Sequence, residues 1–375
     1  SRPDASFCDS RRYRSISCLG YWIFLVGCWI FSPFSCVSES SPLLGQPPDT
    51  GEGQPWDSGI RKGRVVQTLG DIGELAAIAR ITRGLPGQQD AIVGPGDDCA
   101  VVRPTSGSSE DLVLTSDPVV TGIHFDSEAA PEAIGHKAIG RVLSDMAAMG
   151  AEPRWALVDI VAPPSTPVDV MDGLYAGMNA IASANGLAIV GGDMAEGPCL
   201  EIHVFGVGSV PVGRAVLRST AGGDDLLFVT GALGGTRLGR HLHVEPRVPQ
   251  GRWLRDWASS MIDVSDGLAS DLQHITDMSG VGCDLAAAQI PVSDDAHRMQ
   301  DDVSPLEHAL HDGEDFELLF TIPLARRREF ASAWHAAFDL PCTEIGCMTP
   351  NAGVVRCNHA DGRALQLGRE GYAHF

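Results

Sequence analysis

The chain has 375 residues, 44% of them hydrophobic, and a formal net charge of −21. That length allows two ordinary domains, each with its own core. Acid dominates after residue 69, where 42 of the 48 acidic but only 20 of the 27 basic side chains lie, which excludes a surface built to bind nucleic acid.

The first 69 residues differ in character from the rest. Arg11, Arg12 and Arg14 precede an apolar run from Cys18 to Phe34, and a Ser/Pro/Gly-rich stretch follows to about Ile60. The run is at the short limit for crossing a membrane. Residues 1–69 therefore read as an extension outside the fold: disordered, artefactual, or a targeting or anchoring piece. Membrane contact is expected only if residues 18–34 form a real anchor.

From there the chain alternates. GELAAIARIT (73–82) has helical spacing. GPGDDCAVV and LVLTSD (112–117) read as strands with turn punctuation. Residues 135–149 predict an amphipathic helix, with Ile139, Val142, Leu143, Met146 and Met149 on one side. Lys137, Arg141 and Asp145 fall at i, i+4 and i+8, on one polar stripe expected to face solvent. A strand (155–163), a helix ending in glycine (170–186) and two strands (LAIVGGD and 199–211) follow. A boundary is expected near Val212. After it come a strand (DLLFVTG), a helix after GGTRLGRHL, a strand (MIDVS), a helix (GLASDLQHITDMSG), a strand (DFELLFTI) and a helix (LARRREFASAWHAAF). The expectation is an α/β (α+β) chain with an N-terminal domain at 70–211 and a C-terminal domain at 212–375, each a mixed sheet flanked by helices.

Acidic residues recur at the ends of these apolar runs. They are Asp98 in GPGDDCAVV, Asp117 after Thr115 and Ser116, Asp145, Asp193 after Gly191–Gly192, Asp263 and Asp266 around Ser265, and Glu314 in DGEDFELLF. Each alone has a structural alternative, such as a turn, a helix cap or a solvated face. Gathered in one place, carboxylates repel unless cations hold them. Hard oxygen donors in number suit magnesium, which commonly serves phosphate chemistry. Lys62 and Lys137 are the only lysines and no G-x-x-x-x-G-K-[ST] string occurs, so a Walker-type phosphate loop is excluded. GALGGTRLG (231–239) lacks the dinucleotide fingerprint and reads as packing. The ten cysteines include no C-x-x-C pair and read as reduced cytosolic thiols.

The order of these motifs is more specific than any one of them. GDDCAVV, TSD-x6-HF, LSDMAAMGAEP, GGD, GRAVLRSTA, DVSDGLASDL, GEDFEL and a terminal GYAHF resemble the thiamine-monophosphate kinase family, from about Gly70 to Phe375. That family sits in the aminoimidazole-ribonucleotide synthetase-like superfamily. The resemblance implies ATP-dependent phosphorylation of thiamine monophosphate to the diphosphate, by direct in-line transfer with several bridging magnesium ions. It implies a metal set of Asp98, Thr115, Ser116, Asp117, Asp145, Asp193, Asp263 and Asp266, of which Asp98, Asp117, Asp145 and Asp263 would be catalytic through the metal. It implies ATP contacts at Gly192, Asp193, Arg218 and Ser265, and substrate contacts at His124, Glu314 and Tyr372. It also implies a cytoplasmic homodimer paired through the N-terminal sheets. Tyr175 is a further candidate to approach the adenine.

Met194, Arg141 and His311–Asp312 depart from the family's usual residues, which puts nucleotide affinity in doubt. Two other readings remain open: another ATP-dependent enzyme of the superfamily, or a metal-stabilised binding protein. A selenophosphate synthetase would need a reactive cysteine in a flexible Gly-rich loop. Cys99 instead continues straight from the acidic pair into an apolar strand.

Overall fold

The computed structural model describes residues 68–86 and 89–368. Tyr372 and the apolar run at 18–34 lie outside them. Two short helices, α1 (Leu69–Ile72) and α2 (Glu74–Thr82), lead into a seven-stranded sheet. Its strands are β1 (Ala91–Val93), β2 (Ala100–Val102), β3 (Glu110–Val120), β4 (Glu152–Ala162), β5 (Ala188–Gly191), β6 (Met194–Glu196) and β7 (Glu201–Pro211). Their order is β1-β2-β3-β7-β4-β5, with β6 also pairing with β4. The pairs from β1 to β4 are antiparallel, whereas β5 and β6 run parallel to β4.

Two long helices, α3 (Pro131–Ala148) and α4 (Val168–Ala184), accompany this sheet. Pro131 opens α3, where a missing N–H costs nothing. Ile139, Val142, Leu143 and Met146 are fully buried, as their helical spacing predicts. The polar stripe does not face solvent. Lys137 is fully buried, and Asp145 and Arg141 point into the interior. A second layer covers α3 on that side, which a single-helix pattern cannot reveal.

The second sheet also has seven strands. They are β8 (Leu226–Thr230), β9 (Ser260–Asp263), β10 (Gly282–Ala286), β11 (Leu318–Ile322), β12 (Cys342–Thr349), β13 (Val355–Asn358) and β14 (Ala364–Gln366). Their order is β14-β13-β10-β12-β8-β11-β9, antiparallel except for β10 with β13. The helices α5 (Val248–Leu254), α6 (Leu268–Ser279), α7 (Asp294–Arg298), α8 (Pro305–His311) and α9 (Arg327–Ala337) belong to this half. The continuous apolar runs of β8, β9 and β11 are buried along their whole length. Both sheets are mixed and carry helices, so the fold is α+β.

The helix expected directly after GGTRLGRHL is absent. Two single 3₁₀ turns, Thr236–Leu238 and Arg240–Leu242, stand there, and α5 begins only at Val248. Gly235 and Gly239, with φ of 71° and 117°, break the α-helical path on either side of the first turn.

One hydrophobic core runs through both halves. It joins Ile139, Val142 and Met146 of α3 to Met261, Leu318 and Phe320 of the second sheet, and to Phe330 and Trp334 of α9. An aromatic cluster of Phe228, Phe320, Phe330, Trp253 and Trp334, with ring centroids 5.1–6.3 Å apart, fixes α5 and α9 against that sheet.

Helices α3 and α4 meet at glycine. A Cβ on Gly177 would lie 1.9 Å from Glu132 O, and one on Gly135 would lie 2.0 Å from Leu174 O. Gly177→Ala is therefore expected to force the helices apart and to lower stability by about 1–3 kcal/mol, an overpacking cost. Urea unfolding monitored by circular dichroism measures it.

Candidate active site

Three carboxylates from three different elements come together. Asp98 lies in the turn before β2, Asp145 on α3, and Asp263 at the end of β9. One oxygen from each lies within 4.8 Å of the others. Among the described residues this is the group of acidic, cysteine or histidine side chains with a metal-holding arrangement.

The surroundings only partly offset the repulsion. Burial, then the charges of Asp117 and Asp263, holds the Asp145 carboxyl far above its ordinary range. Burial, then the charge of Asp98, pushes Asp263 up to about 8. Asp97 rises to about 6 by burial and its neighbour Asp98. Against this, Thr115 Oγ1 donates to Asp145, and Ser144 Oγ donates to Asp263 Oδ2 at 2.5 Å. Arg218 clamps Asp98 from the other side: its Nη2 donates to Oδ1 at 2.6 Å and its Nε to Oδ2 at 3.2 Å. Buried oxygen donors raised this far out of their ordinary range suit a hard cation, whose charge would return them to the ionised form.

The remaining sequence candidates divide. Asp117 sits beside this group on β3 and binds Arg141 Nη2 at 3.0 Å. Thr115 shares its face. Ser116 does not, because strand alternation turns its side chain to the opposite, exposed face, level with Phe205 of β7. Of Thr115, Ser116 and Asp117, only Thr115 and Asp117 therefore lie on the carboxylate side. Asp193 is exposed and outside the group; its side chain accepts from the Met194 N–H. A Cβ on Gly192 would lie 1.8 Å from Val158 O, so the neighbouring strand β4 already demands glycine there. Tyr175 is half-buried on α4, and its hydroxyl pKa is raised by burial and by Asp159.

Next to the carboxylates opens a cavity of about 270 Å³. His124, Arg141, Arg237, Ser265, Asp266 and Glu314 are among the side chains lining it. His124 is buried, and its Nδ1 accepts from Val120 N at 3.0 Å. Asp266 and Ser265 face the cavity because Asp271 Oδ2 accepts both of their N–H groups, at 3.1 and 3.0 Å. Glu314 receives Lys137 Nζ at 2.6 Å and Arg141 Nη1 at 3.4 Å.

Sequence reasoning missed Asp271, Ser144 and the Lys137–Glu314 pair, and it set the Thr236–Arg237 turn aside as packing. Asp271 had a faint signal, an acid in the first turn of α6. The others had none, since each acts on a residue distant in sequence. Cys99 is buried, and burial followed by the Asp145 charge pushes its thiol far up, so it is no nucleophile.

With this geometry in view, the chain can be set beside known proteins. A family model described as AIR synthase related protein, N-terminal domain, matches residues 96–210. The thiamine-monophosphate kinase of Escherichia coli (strain K12) is 35% identical over 331 residues, covering 81% of this chain and 98% of that one. Its counterpart from Rhodopirellula baltica is 38% identical over 293 residues, covering 75% and 90%. The solved structure of AaThiL complexed with AMPPCP and TMP matches with a TM-score of 0.72 at 30% identity, over 83% of this chain and 100% of that one.

The raised carboxyls have a measurable consequence. Folded Asp263 keeps its proton to about pH 8, whereas unfolded aspartate releases it near pH 3.9. Its contribution is most favourable below the unfolded value and is lost as pH rises through the folded one. In chelated protein, the stability advantage of Asp263→Asn over wild type should grow between pH 5 and pH 8 by at least about 1.4 kcal/mol, the worth of one pKa unit. Added magnesium should erase that growth. Thermal unfolding across pH, with chelator and with magnesium, reads both.

Proposed function

The chain belongs to the thiamine-monophosphate kinase family, and on that premise we propose how its own residues phosphorylate thiamine monophosphate with ATP. The observation that carries the reading is the convergence of Asp98, Asp145 and Asp263 beside a cavity lined by His124 and Glu314. The chain is a thiamine-phosphate kinase: its relatives carry that name over almost their whole length.

Asp98, Asp145 and Asp263 would hold magnesium, with Thr115, Asp117, Asp193 and Asp266 as further candidate donors. Magnesium bound there supplies the charge neutralisation and alignment that transfer between two anions requires. The chain's own groups do the rest. Arg218 orients Asp98 through two hydrogen bonds, and Ser144 and Thr115 orient Asp263 and Asp145. Residues 263–266 are ordered by Asp271, and Ser265 would meet the nucleotide from the edge of the cavity it shares with Glu314. His124, Glu314 and Tyr372 take the acceptor.

The acceptor is a phosphate monoester with a second pKa of about 6, so it is already largely ionised at pH 7. It needs no strong general base. The reading is direct in-line transfer without a phospho-enzyme.

A homodimer also fits. Leu114, Trp155, Leu157 and Phe205 are exposed on one face of the first sheet. Register places Leu114 and Trp155 on either side of Val207, and Leu157 beside Phe205. This continuous apolar band is where a second copy would pair. Among the described residues no helix is long and apolar enough to cross a membrane, and the cysteines are free thiols. Free thiols are kept in a reducing compartment, and we read the enzyme as cytoplasmic on that ground.

The direct test gives the full chain ATP, magnesium and thiamine monophosphate and measures thiamine diphosphate. Product on a different acceptor, with none from thiamine monophosphate, would sink the substrate assignment. Asp263→Asn should lower turnover more than about 100-fold while the fold persists, since even groups that only orient metal ligands are worth 10- to 100-fold. An unchanged rate would remove Asp263 from the metal set. For the dimer, Phe205→Asp should halve the molar mass seen by light scattering, and an unaltered mass would discard this face as the interface.

A further inference from the structure

We propose that Arg141 and Lys137 form a two-cation seat for the acceptor's phosphate monoester, and that Glu314 holds this seat until the phosphate replaces it. The inference rests on thiamine monophosphate being the acceptor.

Four observations carry it. The two cations lie one helical turn apart on α3 and converge on one oxygen, Glu314 Oε1, at 2.6 Å from Lys137 Nζ and 3.4 Å from Arg141 Nη1. Two cations aimed at one oxygen describe an anion site more than a simple ion pair. The Arg141 contact is long, so the guanidinium is under-used.

Second, Arg141 Nε is buried without a hydrogen-bond partner among the described residues, although its side chain is only 14% exposed. A buried unsatisfied donor is costly and asks for an explanation. Asp117 occupies Nη2, which leaves Nε and Nη1 with donor capacity to spare. A phosphate with three acceptor oxygens can use that capacity and a carboxylate reached at 3.4 Å does not.

Third, Glu314 is held in a conformation it would not adopt freely. Its φ is 54° and that of Phe316 is 53°, both in the left-handed region. Its N–H is tied to Ser265 O at 2.7 Å, and that of Phe316 to Val264 O at 2.8 Å. Strain of this kind persists where the surroundings over-determine it, and functional sites are where it concentrates. Fourth, Arg141, Glu314 and Ser265 line the same cavity, so a ligand there reaches all three.

The seat starts electrically neutral. Lys137 and Arg141 face Glu314 and Asp117, two positive charges against two negative. An arriving phosphate dianion takes the place of one carboxylate and stays beside the carboxylate group that serves the transfer.

The experiment compares two ligands that differ only in the phosphate. Affinities of the full chain for thiamine monophosphate and for thiamine are measured by calorimetry. Wild type should bind the monophosphate more tightly. Arg141→Met should remove about 10- to 100-fold of that margin, the worth of a charge-assisted hydrogen bond, while thiamine affinity moves less than about 2-fold. Arg141→Lys, which keeps the charge and loses the fork, should fall between. An unchanged margin in Arg141→Met, or an equal loss for both ligands, would overturn the proposal. If Arg141→Met does not fold, Arg141→Lys with a wild-type margin overturns it instead. Wild type binding neither ligand would count against the acceptor assignment itself.

Discussion

Everything in this chain is arranged around carboxylates that repel each other. Asp98, Asp145 and Asp263 are held within 4.8 Å and largely away from water, with two hydroxyls and the Arg218 guanidinium bonded to them and Arg141 close to Asp145. Ionised together, two such groups would repel by several kcal/mol at a surface-like dielectric, and more where water is excluded, which is why Asp145 and Asp263 are pushed toward their protonated forms. A fold that tolerates this must spend core elsewhere. The shared core of α3, both sheets and the aromatic cluster behind α5 and α9 is where that stabilisation lies. The cost is consistent with a site poised for cations and for the polyphosphate they accompany.

Helix α3 is the element that makes this possible. Its apolar residues pack into the common core, while its polar stripe turns inward, with Lys137 fully buried and Arg141 lining the cavity. One helix thereby supplies a cluster carboxylate, the hydroxyl that orients Asp263, and two cations on the cavity side. Spacing of four residues sets Lys137, Arg141 and Asp145 in line, so two cations are followed by one carboxylate along one face. The glycine contacts with α4 lock the rotation of α3 and hence the aim of that face.

Much of this was legible beforehand. The longer strands and helices of the first half appear where apolar periodicity placed them, because their burial pattern repeats at the period of their own backbone; α1, β1 and β6, of three or four residues, are too short to carry such a pattern. The region after Gly231 was less readable. Its glycines serve backbone turns packed on α7 and α8, contacts that no local pattern encodes. Similarly, Ser116 looked equivalent to Thr115 in a string of letters, and strand alternation separates them. In the sequence Arg141 is one member of a polar stripe and a departure from the family's usual residue. Its position between Asp117 and Glu314, 24 and 173 residues away in the chain, gives it a role.

By itself the amino-acid order determined the family, the α+β alternation and the identity of the acids, because those are carried by local motifs and by their sequence along the chain. Tertiary structure alone decided which acids meet, which way α3 faces, and that Lys137 is buried against Glu314. Those facts depend on how two sheets dock across one helix. The free energy of docking comes from surfaces distant in sequence, so no window of the chain contains it.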